Sequence, residues 1–459
     1  MKWVRWSESG RRRPEEVRTE VGGSFRVAYF STLRKIHFNL QKPKLSSTGL
    51  TMDTEAPQDP LDQVDVDVDA QSLILAAATH DLEAIRNLLR TVPATVQDPD
   101  TGFTPLHAAI AAFDDEDDEM TDGDLNGVPA TDQEDIRKRE LEAAAETVRL
   151  LLRNGAIWND VDSENETPGC IAYRLDLKEL YELIVDAGVR AELLLARLSG
   201  YQPLAGDEDE AAEQDERGAE ESQSGPQATT ATSSDPTTSN DTYLESNLTQ
   251  TQTALLDSAA NGVMMSWEKP IMERHASLLL PQDRLRVLNI GHGMGIIDTF
   301  FQDKKPTVHH IIEAHPDVLA KLKQDGWYEK PGVIIHEGRW QDVLPKLAQS
   351  QEDIAFDAIF FDTFAEEYSA LREFFSEWVV QFLDSNGKLS FFNGLGADRQ
   401  VCYDVYQKVV EMDLFEAGFD VEWEEIEVPD LEAQGEWIGI RRPYWTLDTY
   451  KLPTCAFVG

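Results

Sequence analysis

Cysteine is scarce in this chain of 459 residues. Only Cys170, Cys402 and Cys455 occur, far apart and without CxxC spacing. Neither a disulfide framework nor a thiolate metal site follows, no metal is expected, and a reducing compartment is the natural setting. Long apolar runs are missing as well. None approaches the roughly 20 residues that cross a bilayer, so no membrane partner is expected. Cations are in deficit, with 41 Lys and Arg against 85 Asp and Glu and a formal net charge of −44. Phosphate backbones are held by clustered cations, which argues against direct nucleic-acid binding. The acidity suits a basic partner, or simply solubility. Apolar residues make up 41%, with 10 Trp and 19 Phe, enough for real cores, and the length predicts two or three domains.

The remaining signals divide the chain. Residues 1–51 carry 11 Lys or Arg, 4 Glu and no Asp. Such composition can mark a mitochondrial presequence, but Glu15, Glu16 and Glu20 interrupt any basic amphipathic helix, and a basic extension outside the fold is expected. A helical domain is expected over 65–200. Within it "TPLHAAIAAF" at 104–113 is close to the T-P-L-H-x-A signature of ankyrin repeats, with His107 as a turn residue. A second Thr-Pro at 167–168 lies 63 residues on, against an ankyrin period of about 33. The surplus matches an acidic insert at 114–140. Residues 201–241 have little to bury and read as a disordered acidic linker. A second domain is expected over 242–459.

From 285 onward, β-like runs alternate with helical ones: "RVLNI" (286–290), "VHHIIEA" (308–314), "GVIIHEG" (332–338), "FDAIFFDTF" (356–364) and "GKLSFFN" (387–393). Alternation of this kind means a parallel sheet with helices on both faces and a ligand site at the carboxyl ends of the strands. The C-terminal "GIRRPYWTLDTYKLPTCAFV" reads as a strand pair completing the sheet. In "VLNIGHGMGIIDTFF" the glycines stand at 291, 293 and 295. A dinucleotide fingerprint needs its third glycine at 296, where Ile stands. The turn alone is also compatible with no ligand. Glu313 ends the second strand, 22 residues after Gly291, where a carboxylate can accept ribose hydroxyls or simply face water. Asp362 follows four apolar residues; it is either a carboxylate in a partly dry pocket or a helix cap.

Taken with "VMMSWEKPIMERHA" (263–276), "HHIIEAHPDVLAKL", "EGRWQDV" and "FFDTFAEEY", the glycine segment resembles the guanidinoacetate N-methyltransferase family over about 243–459. With the ankyrin-like region ahead of it, the chain resembles the fungal type IV protein arginine methyltransferases, which modify the δ-nitrogen of arginine. The resemblance implies an α/β class I methyltransferase fold, Rossmann-like with a mostly parallel seven-stranded sheet, behind an all-α ankyrin-like domain. It implies S-adenosylmethionine as cofactor and a basic, ribosomal protein as the arginine-containing substrate. Tyr243, Met264 and Met272 would close over the cofactor, and Gly291, Gly293, Met294, Gly295, Ile296, Ile297 and Asp298 would form the turn beneath it. Glu313, Ala314 and His315 would hold the ribose and flank the adenine, Trp340 and Gln341 would meet the adenine edge, and Asp362 would border the cofactor. Glu268 and Asp362 fall on the catalytic carboxylates that grip the guanidinium. Asn289 departs from the family, whose small-molecule enzyme has Glu there.

A guanidinium agrees with that pair. It is planar, permanently charged and offers donors in a fork matched to carboxylates. Trp267, beside Glu268, is either a stacking partner or core. Two other functions stay open: methylation of a small guanidino compound, and an inactive scaffold binding through its repeats. Oligomeric state is open with a monomer as the default, and cytoplasm and nucleus fit equally well.

Overall fold

The computed structural model describes residues 68–114, 130–199, 239–350 and 354–459. The basic extension, most of the acidic linker and residues 115–129 lie outside the described residues. The first part is all-helical: α1 (Val68–Ala78), α2 (Leu82–Leu88), α3 (Pro105–Ala111), α4 (Ala130–Arg153), α5 (Pro168–Arg174) and α6 (Lys178–Ser199). Local chemistry sets its starts. Asp81 caps α2 by accepting the Glu83 and Ala84 amides, and Thr104 and Thr167 cap α3 and α5 ahead of a proline at the first helical position. His107 is fully buried. Its Nδ1 accepts the Thr104 amide and its Nε2 donates to the Glu166 carbonyl at 3.1 Å, tying the two Thr-Pro turns together. Part of the expected insert is helix, because α4 begins at Ala130; residues 135–140 of it are exposed.

The second part opens with α7 (Asn240–Glu245) and a small antiparallel sheet, β1 (Thr249–Gln250), β2 (Ala254–Leu256) and β3 (Gly262–Met265), followed by α8 (Lys269–Leu279). The α/β alternation follows: β4 (Arg286–Ile290), α9 (Ile296–Asp303), β5 (Val308–Glu313), α10 (Pro316–Gln324), β6 (Val333–Glu337), α11 (Trp340–Gln349), β7 (Phe356–Phe361) and α12 (Tyr368–Glu373). The last continues through a π-helical turn at Phe374–Val379 to Phe382. The chain closes with β8 (Leu383–Phe391), α13 (Gln400–Glu416), β9 (Phe419–Glu427) and β10 (Thr449–Phe457). The strand order is β6-β5-β4-β7-β8-β10-β9, parallel from β6 to β8, with β10 antiparallel to both neighbours. This is the class I methyltransferase fold. The apolar runs of β4 and β7 are what a strand covered on both faces requires, and Leu288, Ile290, Ile359 and Phe361 form the core beneath the site.

Two boundaries differ from the sequence expectation. β8 starts at Leu383 rather than 387, because buried Leu383 pairs with Phe356 across a bulge. The C-terminal strand pair is β9 with β10, and residues 428–448 between them form an irregular loop, not a strand.

The helical part is packed onto the α/β part. Val401, Cys402, Val405 and Val409 of α13 share one core with Ile171, Leu180, Ile184 and Val185, at roughly 1.5–3 kcal/mol for each large apolar side chain. Glycine permits the approach: a Cβ on Gly169 would lie 2.5 Å from the Val401 side chain, and one on Gly188 2.7 Å from Val405. The Tyr181 hydroxyl donates to Asp404 at 2.6 Å across the same contact.

Candidate active site

The strand order reverses beside β4, where a doubly wound sheet opens a crevice. Here the β4–α9 turn meets the end of β7. Gly291 has φ +91°, and a Cβ on it would lie 1.8 Å from the Asp362 carbonyl oxygen, so only glycine lets the two strand ends come this close. The Asp362 amide donates to the Ile290 carbonyl and the Gly291 amide to Ile312, both at 2.9 Å, which stitches β7, β4 and β5 together at their carboxyl ends.

Glu313 organises this turn. Its Oε2 accepts the His292 amide at 2.9 Å and the Gly293 amide at 3.4 Å, while Oε1 accepts Ala314 at 2.8 Å and His315 at 2.7 Å. Beneath the turn Asp298 is fully buried. It accepts from Asn289 Nδ2 at 2.8 Å, His292 Nδ1 at 2.6 Å and His309 Nε2 at 2.8 Å. Burial opposes its charge, but His292 and His309 hold the carboxyl below the usual carboxylate range. This network gives Asn289 a physical reason: its amide donates to Asp298 and to the Gly291 carbonyl, whereas a glutamate there would set a second carboxylate against Asp298.

Above the turn lies a cleft that opens to solvent. Tyr243, Met264, Gly291, Gly293, Glu313, Ala314, Trp340, Gln341 and Asp362, all expected from the sequence, line it. Met272, Met294, Gly295, Ile296, Ile297, Asp298 and His315 are not among the lining residues. Met272 is core, and His315 lies beneath Tyr243, donating to its carbonyl and accepting the Asp317 amide. Sequence reasoning missed Asn240, Val263, Arg339, Phe364 and Glu366, which also form the wall. Glu366 accepts from Trp340 Nε1 at 3.0 Å, Gln341 Nε2 at 2.8 Å and the Thr363 hydroxyl at 2.6 Å, locking that side of the cleft. The acidic "FAEEY" run was its one signal.

A second, wider cleft of about 230 Å³ adjoins the first and shares Val263, Asp362, Thr363, Phe364 and Glu366 with it. Glu268 and Asp362 stand in its wall with Tyr444. Glu268 is 3% exposed; its Oε1 accepts the Met265 amide at 2.9 Å and the Tyr444 hydroxyl, and its Oε2 accepts nothing among the described residues. The Asp362 carboxylate likewise has no hydrogen-bond or ion-pair partner among the described residues. Burial pushes Asp362 up to about 7. Burial and then the neighbouring Asp362 push Glu268 up to about 8, against the pull of Tyr444 and the Met265 amide. Two desolvated acids with no cation bonded to either among the described residues form a receptor for one. Trp267 packs on Trp437, Tyr444 and Trp445 in an aromatic cluster behind this wall and is not a lining residue. Tyr444 and Arg442, from the loop expected to be a strand, do line the cleft.

Comparison with known proteins adds a family to this geometry. Residues 237–435 match the family model of guanidinoacetate N-methyltransferase. The protein arginine N-methyltransferase 2 of Aspergillus fumigatus is 55% identical over 417 residues, spanning 86% of this chain and 97% of that one. The chain belongs to the protein arginine N-methyltransferase 2 family. The proteins of that name from Emericella nidulans and Aspergillus oryzae are each 53% identical, spanning 87% of this chain and 99% of theirs. The cofactor that this family and fold imply is S-adenosylmethionine, and the first cleft fits it. Gly293, at φ +53°, lets Met264 close down on the turn, since a Cβ there would meet Met264 Cε at 2.8 Å, and both residues line the cleft. Ile290, Ile312 and Trp340 offer apolar wall, and Glu313 offers a carboxylate at the strand end.

Proposed function

We propose that the protein methylates arginine side chains of proteins, with S-adenosylmethionine as donor, and that the methylated atom is the δ-nitrogen. The observation that carries this reading is the junction of the two clefts at Asp362, which borders both. S-adenosylmethionine, when bound, supplies an electrophilic methyl on a sulfonium. Tyr243, Met264, Gly291, Gly293, Glu313, Trp340 and Gln341 would hold it in the first cleft. The chain's own task is alignment and proton handling.

A guanidinium in the second cleft would meet three carboxylate oxygens that have no other partner among the described residues, Glu268 Oε2 and both oxygens of Asp362. Charge-assisted bonds to its terminal nitrogens fix the plane of the group and draw its positive charge towards them. The chain-bearing nitrogen is left to face Asp362, which borders the first cleft as well, and this supports the δ-nitrogen. That nitrogen must lose its proton as the new bond to carbon forms. Asp362, at the border of the clefts and with its pKa near 7, is the acceptor within reach.

The helical part reads as an ankyrin-like recognition domain. The tied Thr-Pro turns support it, and it would raise the local concentration of a substrate protein's arginine. A basic ribosomal protein suits a chain of net charge −44. The test is transfer of labelled methyl to fractionated ribosomal protein and, separately, to guanidinoacetate, with fragmentation of the modified arginine. Label on a protein δ-nitrogen is the expected result. Label on guanidinoacetate alone moves the protein to a small-molecule branch, and label on a terminal nitrogen overturns the assignment of the atom.

A further inference from the structure

Tyr444 reaches the second cleft from the loop between β9 and β10, more than 170 residues after Glu268 in the chain. Its hydroxyl donates to Glu268 Oε1, the same oxygen that takes the Met265 amide, and this leaves Oε2 with no partner among the described residues. The phenol ring is fixed from behind. Trp437 meets it edge-on at 5.1 Å and Trp267 packs at 5.9 Å. From the side, Gly262 leaves it room: a Cβ there would lie 2.9 Å from Tyr444 Cε1. So one carboxylate oxygen is pinned by two donors, the pinning phenol is itself pinned by aromatic rings, and the other oxygen is kept open to the cleft.

We infer that Tyr444 is a positioning residue for arginine methylation: its hydroxyl, with the Met265 amide, holds Oε1 of Glu268 so that Oε2 is presented to the guanidinium. The inference rests on the reading that an arginine side chain occupies this cleft. The physical sense is direct. Glu268 is desolvated and faces another acid, both of which favour its neutral form, and a neutral carboxyl would offer a proton where the guanidinium needs an acceptor. A hydroxyl donated to the carboxylate opposes that, as a hydrogen bond to the charged form does. The titratable groups facing Glu268 are Asp362 and Tyr444 in the wall and Tyr450 behind it. Glu366, Glu367 and Arg442 are the remaining charged lining residues, and Arg442 is already engaged with Asp398 at 3.1 Å. Within this set the Tyr444 hydroxyl is the one side-chain donor to Glu268 among the described residues.

The test is the pH dependence of kcat/KM for methyl transfer to an arginine-containing protein substrate, measured with full-length wild type and Tyr444→Phe. The variant keeps the ring and removes only the donor. The acid limb of the profile should move to higher pH by about one to two units. At neutral pH the loss should be roughly tenfold or more and should fall mainly on KM, with recovery towards wild type at alkaline pH. Cofactor affinity by calorimetry should stay within about twofold, because Tyr444 is not among the residues lining the first cleft. Gly262→Ala, which crowds the phenol without touching either carboxylate, should move the limb in the same direction and covers the case in which Tyr444→Phe does not fold. An unmoved acid limb in a folded variant, or a loss of the same size at every pH, overturns the role of Tyr444. If wild type transfers no methyl to any arginine, the underlying reading fails instead, and the two failures are told apart by the wild-type control.

Discussion

Carboxylates are treated in opposite ways at the two ends of this site. Asp298 and Glu313, under and beside the glycine turn, are saturated: the first takes three side-chain donors and the second four backbone amides. Glu268 and Asp362, a strand's width away, are left short, with Oε2 of one and the whole carboxylate of the other unpartnered among the described residues. The difference separates two jobs. Asp298 spends its acceptors on the shape of the loop, and Glu313 holds the turn through its amides while it also lines the first cleft. An unsaturated carboxylate is destabilising until something cationic arrives, so it persists where function requires it.

The sharpest way to break this contrast is to neutralise one acid of each kind. Asp362→Asn should lower kcat for methyl transfer by about 10²–10⁴-fold, the range for losing a positioned proton acceptor, as read in initial rates at saturating donor. Its melting temperature should not fall, and near pH 8 it should rise, because a carboxylate held in an unfavourable setting has been removed. Asp298→Asn should do the reverse. Unpairing a buried network costs about 3 kcal/mol or more, so thermal unfolding should move clearly downward and cofactor affinity should weaken with the loosened turn. The arginine KM at saturating cofactor should stay close to wild type. If Asp298→Asn proved thermally silent and Asp362→Asn cost several degrees, the division of labour would be wrong.

A smaller effect of the same origin should appear in the pH dependence. Glu268 and Asp362 sit near 8 and 7, above their ordinary values of 4.5 and 3.8. Between those limits the folded state binds more protons than the unfolded one. The stability these groups contribute is therefore fully present below about pH 4 and lost as pH rises through 7 and 8. Guanidinium binding runs the other way, since it needs the ionised pair. Lowering pH from 8 to 6 should raise the melting temperature while kcat/KM for the arginine substrate drops about tenfold from pH 8 to 7 and more steeply below 7, where both acids take a proton. Parallel movement of the two measurements would show that the pair is not the cation receptor.

The sequence made the glycine turn, the parallel strands and Asp362 legible through local pattern, namely apolar runs, glycine spacing and an acid at a strand end, whereas Glu268 is singled out only by the family resemblance. It did not show which acids are satisfied. Asp298 stood in the same expected set as Gly291, yet only the fold brings His309 from β5 and Asn289 from β4 against it. Tyr444 was hidden by a different failure, since its aromatic, β-branched surroundings read as strand while tertiary packing on Trp267 and Trp437 holds the segment as a loop. The Thr-Pro turns were legible as caps, but the start of α4 at Ala130, inside the acidic insert, was not.

The least consequential carboxylate completes the series. Glu424 on β9 takes a bidentate pair from Arg274 on α8, 2.7 Å at each oxygen, a well-made ion pair by its geometry. Both side chains are more than two-fifths exposed. Water competes for the same groups and salt screens them, so exposed pairs are worth only about 0.2–1 kcal/mol. Arg274→Ala should therefore shift the melting temperature by no more than about two or three degrees, less in high salt, and leave kcat and cofactor affinity unchanged. Good geometry at the surface would then count for less than missing geometry in the cleft. What decides a carboxylate's role here is how much water it has lost and whether anything replaced it.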